Sequence, residues 1–197
     1  MSTPVTPHPA ASLLVFRPDS REVLMGMRGA GHKFMPNRLV YPGGRVDAED
    51  HDAAPATPLP PHVLARLARN TDPALAQAIG MAAARELEEE TGLTLGNPPA
   101  LAGMDYLCRA ITPETSPMRF DARFLVVDAA AVTGELAGSG ELDDLMWYTL
   151  DAALSLDLAF ATRGVLERLL DWIEMTPDQR AAQTEVPTLR NRGWVME

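Results

Sequence analysis

The chain has 197 residues, 46% of them hydrophobic, a net charge of −10 and a pI near 4.8. That length and hydrophobic content suit one globular domain with a full core, and the acidic balance argues against a nucleic-acid backbone surface, which needs clustered cations. A single cysteine, Cys108, rules out an intramolecular disulfide framework, and no run nears the roughly eighteen apolar residues of a membrane span.

Residues 1–9 are rich in Pro and Thr, lack a basic stretch, and are expected as a flexible lead to a single domain over 10–197. Residues 10–16 are apolar and end at Pro18 and Asp19, which predicts a strand. Residues 22–28 read as its hairpin partner, with the turn at 18–21. A loop over 29–36 holds His32 and Lys33. A short strand over 39–41 runs into Pro42-Gly43-Gly44. Residues 47–61 are rich in Asp, Ala and Pro and predict a loop without a core of its own. Val63, Leu64 and Leu67 have helical spacing, so a short helix is expected over 61–70. Thr71 or Asp72 can cap the next helix, with Pro73 in its first turn. That helix should run to about Thr91 and stop at Gly92.

Two long strands follow over 101–111 and 119–127, joined by a Pro/Ser/Thr loop, with Cys108 as a small apolar strand residue. Residues 132–144 are Gly-rich and acidic and predict a mobile loop. A strand over 145–149 places Trp147 and Tyr148 in the core. Thr162 is expected to cap a final helix to about Met175, with Leu166, Leu169, Leu170 and Ile173 as its buried stripe. Strands, helix, strands, helix is an order that suits a mixed sheet between helical layers.

The chemistry concentrates at residues 85–93, Arg-Glu-Leu-Glu-Glu-Glu-Thr-Gly-Leu. On a helix Glu86, Glu89 and Glu90 fall at i, i+3 and i+4 and share one face. Like charges so placed repel, unless a hard divalent cation binds them. The residues before them, Ala78, Ile79 and 81–84, are small and apolar, so the acidic turn ends a buried helix. Gly43 and Gly44 permit close backbone approach. The loop they begin can therefore fold over the helix and bring Asp47 or Asp50 near it.

Gly44, five residues, Asp50, and then Arg85-Glu86-Leu87-any-Glu89-Glu90-any-Gly92-Leu93 resemble the signature of the Nudix hydrolase superfamily. Residues 51–84, thirty-four of them, stand where that signature has seven. This interrupted box, with Phe34-Met35-Pro36, residues 41–47, Thr112-Pro113 and residues 119–124, is similar to the coenzyme A diphosphatase-like branch. The resemblance covers about residues 10–175, with the insertion within about 51–77.

The resemblance implies an α/β fold, the Nudix-type α/β/α sandwich with a mixed β-sheet. It implies Mg²⁺ or Mn²⁺ held by Glu86, Glu89 and Glu90, with the Gly44 backbone alongside. It also implies water attack on the phosphoanhydride of a nucleoside diphosphate linked to a moiety X, CoA or acyl-CoA leading. Catalytic roles fall to Glu89 and Arg85, the latter read mainly as orienting the acids. A late-loop glutamate, Glu141 or else Glu135, would be the general base. Arg28, Lys33, Gly43, Gly44 and Arg45 are the expected substrate-binding residues, and Arg38 flanks them. Glu88 is expected to face solvent. The expected partner is a small nucleotide-type molecule, with no nucleic acid or membrane, with a homodimer left open and the cytoplasm as location. An ADP-ribose or nucleotide-sugar pyrophosphatase and a non-catalytic nucleotide sensor are the alternatives.

Overall fold

The computed structural model describes residues 5–29, 31, 35–138 and 140–197. Strand β1, His8–Arg17, is the spine. Its side chains alternate between two cores, because successive Cβ atoms of a strand point to opposite faces. Ala11, Leu13 and Val15 enter one core, and Leu14 and Phe16 the other. A strand covered on both faces reads as a continuous apolar run, as β1 does.

Strand β2 (Glu22–Arg28) pairs antiparallel with β1 across the expected turn. Strand β3 (Leu39–Val40) pairs with β2, and β4 (Gly43–Arg45) pairs with β1. Helices α1 (Ala48–Asp52), α2 (Pro61–Leu67) and α3 (Pro73–Thr91) come next, then a two-residue strand β5 (Leu93–Thr94). Strands β6 (Asp105–Ile111) and β7 (Phe120–Asp128) form a long antiparallel pair, and β7 runs parallel to β1. The short β8 (Thr133–Gly134) pairs with β5, and β9 (Leu142–Thr149) pairs with β2. Helices α4 (Leu150–Ser155), α5 (Phe160–Ile173) and α6 (Pro177–Ala181) precede a hairpin of β10 (Pro187–Arg190) and β11 (Gly193–Met196). Among the described residues nine strands join in one mixed sheet, in order β11-β10-β6-β7-β1-β2-β3 with β4 on β1 and β9 on β2. Residues of α2 and α3 pack on one face, and those of α4 and α5 on the other. This is the expected α/β/α sandwich.

Helix α3 begins and ends as its sequence dictates. The Asp72 side chain accepts from the Leu75 N–H at 2.9 Å, Pro73 opens the first turn, and Gly92 ends it at φ 72°. Five buried alanines and Gly80 let the helix lie close against its neighbours. A Cβ on Gly80 would stand 2.9 Å from Leu59.

That contact corrects one expectation. Residues 47–61 are not a coreless loop: 48–52 form α1, and Leu59 is fully buried against Gly80 and Leu101. The helix expected over 61–70 is present, as α2 and one 3-10 turn. Thr162 does not cap α5. The helix starts at Phe160 after Ala159, and the Thr162 carbonyl accepts from the buried Tyr41 hydroxyl at 3.0 Å. Leu166 and Leu169 are buried as expected, and Leu170 and Ile173 are half-buried. The loop expected over 132–144 contains β8 and the start of β9. Trp147 is half-buried beneath Arg17, whose guanidinium lies 3.6 Å from its ring centroid. Cys108 is buried, and that burial pushes its thiol well above the usual range, which disfavours a catalytic thiolate. Among the described residues no helix is long and apolar enough to cross a membrane.

Candidate active site

Strand β4 lies against the C-terminal half of α3. Ala11 pairs with Gly44 and Ser12 with Gly43. Gly43 adopts φ 157°, and a Cβ there would stand 2.4 Å from the Ala11 carbonyl oxygen. A Cβ on Gly44 would stand 2.3 Å from Glu86 Oε1. Neither position accepts a larger residue without movement. The bare backbone lets the Glu86 carboxylate press against Gly44 and brings the Gly43 N–H to Glu90 Oε2 at 2.7 Å.

Glu86 and Glu90 are buried, whereas Glu88 and Glu89 are exposed. Burial pushes the Glu90 carboxyl up to about 7. The Gly43 N–H opposes this, the Glu86 charge adds to it, Arg28 opposes it, and Glu141 adds to it. Glu86 is raised too, by burial first, with Arg85 opposing and the charges of Glu89 and Glu141 adding. Glu141 therefore lies within electrostatic reach of both buried acids. The segment before it is strapped to the end of α3 by the β5–β8 pair and by the Ala137 N–H donating to the Thr91 carbonyl at 2.8 Å.

Arg85 is the hub of the acidic turn. Its guanidinium donates to Asp50 Oδ1 and Oδ2, both at 3.0 Å, to Glu86 at 2.8 Å, to Glu89 at 2.9 Å and to the Arg45 carbonyl at 3.0 Å. The Asp50 hydrogen bonds do most to hold it above its ordinary range. Asp50 is buried and also accepts from the Asp47 N–H at 2.8 Å. Among the three acids at 47–50, it is the one that meets the helix most closely. It meets Arg85 rather than joining the glutamates. Both halves of the interrupted box thus touch in space across the thirty-four intervening residues.

Among the described residues no three carboxylate, imidazole or thiol groups close around one point, because Glu86 and Glu89 turn toward Arg85 and Glu90 toward Gly43. The donor set nevertheless suits a hard cation. Two carboxylates are held out of water with two further acids nearby, and Arg28 stands 3.9 Å from Glu90.

On the α5 side of β4 opens a cavity of about 420 Å³, lined among others by Tyr41, Phe120, Phe124 and Phe160. Arg28, Gly43, Gly44 and Arg45 line it as well. Arg28 reaches the Gly43 carbonyl at 3.5 Å, and its buried Nε has no hydrogen-bond partner among the described residues. Lys33, like His32 and Phe34, lies outside the described residues. Arg38 is not at the site: it is exposed and pairs with Asp157 at 2.9 Å.

The inserted segment does not line the cavity: no residue of 51–84 does, and α2 packs on α3 and β6 instead. The C-terminal hairpin does line it, through Leu189, Asn191 and Arg192. The signal for that hairpin is the Asn191-Arg192-Gly193 turn between Thr188-Leu189 and Trp194-Val195.

Residues 76–169 match the family described as NUDIX domain. The match starts inside α3 and so omits the Gly44–Asp50 half of the box. "Putative nudix hydrolase 7" of Caenorhabditis elegans is 37% identical over 159 residues, 80% of this chain. The chain spans 43% of the length of that relative. Among solved structures, a NUDIX hydrolase from Alicyclobacillus acidocaldarius superposes with a TM-score of 0.66 at 22% identity, over 91% of this chain and 97% of the other. The MutT protein of Methanosarcina mazei Go1 gives 0.59 at 19% identity, over 88% and 100%. The NUDIX domain of Shewanella oneidensis NrtR, complexed with ADP ribose, gives 0.52 at 18%, over 86% and 90%. At these identities the structures attest the fold. The match over 76–169 marks that stretch as a NUDIX domain, and the fold and the meeting of the two halves of the box agree with it.

Proposed function

We propose that this chain hydrolyses nucleoside diphosphates linked to a second moiety, with coenzyme A-type molecules the leading substrates and Mg²⁺ or Mn²⁺ required. The observation that carries this reading is the acidic face of Glu86 and Glu90 beneath Gly43-Gly44, next to an apolar cavity. Glu86 and Glu90, with Glu89 and the Gly44 backbone at their edge, would hold the cation. When bound, the cation neutralises diphosphate charge and polarises its phosphoryl oxygens.

The chain's own groups do the rest. Arg85, anchored by Asp50, fixes the rotamers of Glu86 and Glu89 and is a positioning residue. Arg28 and Arg45 bind phosphate oxygens at the cavity edge, Arg28 with a spare N–H. Glu141 takes a proton from the attacking water. The water oxygen bonds to one phosphorus, the bridging P–O bond breaks, and the bridging oxygen leaves with the other phosphate. From CoA the products are 3′,5′-ADP and 4′-phosphopantetheine.

Retention of Glu86, Glu89 and Glu90 disfavours a non-catalytic sensor. The cavity disfavours a nucleotide sugar. Its lining is mostly aliphatic and aromatic and, among the described residues, includes no carboxylate, so buried sugar hydroxyls would lose water for few partners. The complexed ADP ribose of the NrtR domain makes that compound the proper competitor. The test is hydrolysis of CoA, ADP-ribose and nucleoside triphosphates with Mg²⁺ or Mn²⁺, with products identified by mass. CoA should be preferred. A tenfold preference for ADP-ribose would replace the substrate assignment, and undiminished turnover in EDTA would refute the metal site.

A further inference from the structure

The far side of the cavity is built by a part of the chain remote from the box. Strand β10 joins the sheet in parallel with β6, pairing Leu189 with Ala110 and Arg190 with Ile111. Asn191 and Arg192 form a two-residue turn with φ 50° and 63°, and β11 returns from Gly193. Two left-handed residues in a two-residue hairpin make a tight turn of fixed shape. The pairing with β6 therefore sets where Arg192 stands.

Arg192 lies 5.7 Å from the ring centroid of Phe160, which is 51% exposed at the cavity. Arg45 stands in the same relation to Phe120, also at 5.7 Å. Among the described residues neither arginine has an acidic partner. Elsewhere Arg17, Arg38, Arg109 and Arg190 each hold a carboxylate. In a chain with 27 acids and 17 lysines and arginines, two unpaired arginines on one apolar cavity point to anionic groups supplied by the ligand. The two mark different ends. The Arg45 carbonyl accepts from Arg85, which puts it at the acidic face. Strands β7 and β6 separate β1 from β10, three strand spacings or about 14 Å.

Building on the proposed diphosphate hydrolysis, we infer that Arg192 is a specificity-determining residue that binds a second anionic group, a phosphate monoester, on the organic end of the substrate. The aromatic lining takes the planar base attached to the ribose that carries both phosphate groups. A guanidinium resting on a ring keeps its edge N–H groups outward, where they form the fork a phosphate accepts.

Two probes without a phosphoanhydride separate this inference from the hydrolytic reading: 3′,5′-ADP and 5′-AMP, titrated calorimetrically against the full chain. The wild type should bind 3′,5′-ADP about tenfold or more tightly than 5′-AMP. Arg192→Ala should abolish that difference and leave 5′-AMP binding unchanged, and Arg192→Lys should restore part of it. In turnover, Arg192→Ala should raise KM for CoA and not for dephospho-CoA, with kcat kept. Equal wild-type affinity for the two probes, or an equal loss for both in Arg192→Ala, overturns the inference while CoA hydrolysis stands. Failure of both probes to bind overturns it together with the substrate reading.

Discussion

Glu90→Gln should make the metal-free protein more stable at pH 8 while reducing its turnover. Glu90 is 2% exposed, and its carboxyl is raised from an ordinary 4.5 to about 7, by burial first. The folded chain therefore holds this proton more tightly than the unfolded chain. The neutral acid's contribution to stability is fully present below pH 4.5 and is lost as pH rises through about 7. The gap corresponds to about 3 kcal/mol. Glutamine keeps the shape and can still accept from the Gly43 N–H. Losing the charge-assisted part of that bond costs about 1 kcal/mol. The net gain at pH 8 is about 2 kcal/mol, or about 4–8 °C in Tm for a chain of this size. At pH 4.5 the two proteins should differ little. The assay is urea unfolding in EDTA at both pH values, repeated with Mg²⁺, which should narrow the difference by stabilising the wild-type carboxylate. A variant less stable than wild type at pH 8 in EDTA would refute the reasoning.

Three further outcomes follow from the geometry. Gly44→Ala places a Cβ 2.3 Å from Glu86 Oε1 and displaces that carboxylate, so kcat/KM should fall about 100-fold with a near wild-type melt; Gly31→Ala, whose Cβ meets none of the described residues within 4 Å, is the control. Glu141→Gln should lower kcat by about 10²–10⁴-fold with substrate binding largely kept, whereas Glu135→Gln should not; a wild-type rate for Glu141→Gln would reassign the base. Leu67→Ala, in the inserted α2 and 2% exposed, should cost about 2–5 kcal/mol in denaturant unfolding and leave KM unchanged.

Helix α3 was legible because its signals are local. Asp72, Pro73 and Gly92 act within a turn of themselves, and the spacing of Glu86, Glu89 and Glu90 follows from the helix alone. Residues 47–61 were not legible. Leu59 is a lone leucine among Ala and Pro, and its burial depends on Gly80, twenty-one positions away. The start of α5 misled as well: Thr162 is a good capping residue, but the helix begins at Phe160 after Ala159, which puts Thr162 inside the first turn. At the site, the Gly43-Gly44 approach and the orienting role of Arg85 could be argued from residue types. Asp50 could not be separated from Asp47 and Glu49 until α1 turned it toward Arg85. Arg192 was missed because its strands are four residues each and acquire a partner only in the assembled sheet.

The interruption of the box has a consequence for how the chain acquires its chemistry. A helix carrying Glu86, Glu89 and Glu90 can form early, from local contacts alone. Gly43, Gly44 and Asp50 reach it only when the intervening thirty-four residues close back on themselves. Closing thirty-four residues instead of seven costs about 1.4 kcal/mol more in chain entropy. The burial of Leu59, Val63 and Leu67 against α3 offsets that cost. The segment that separates the two halves of the site is thus also what draws them together. A chain in which α3 has formed but the insertion has not closed holds its glutamates without the Gly43 N–H or the Asp50–Arg85 bond, so the site is complete only once the segment between its halves is packed.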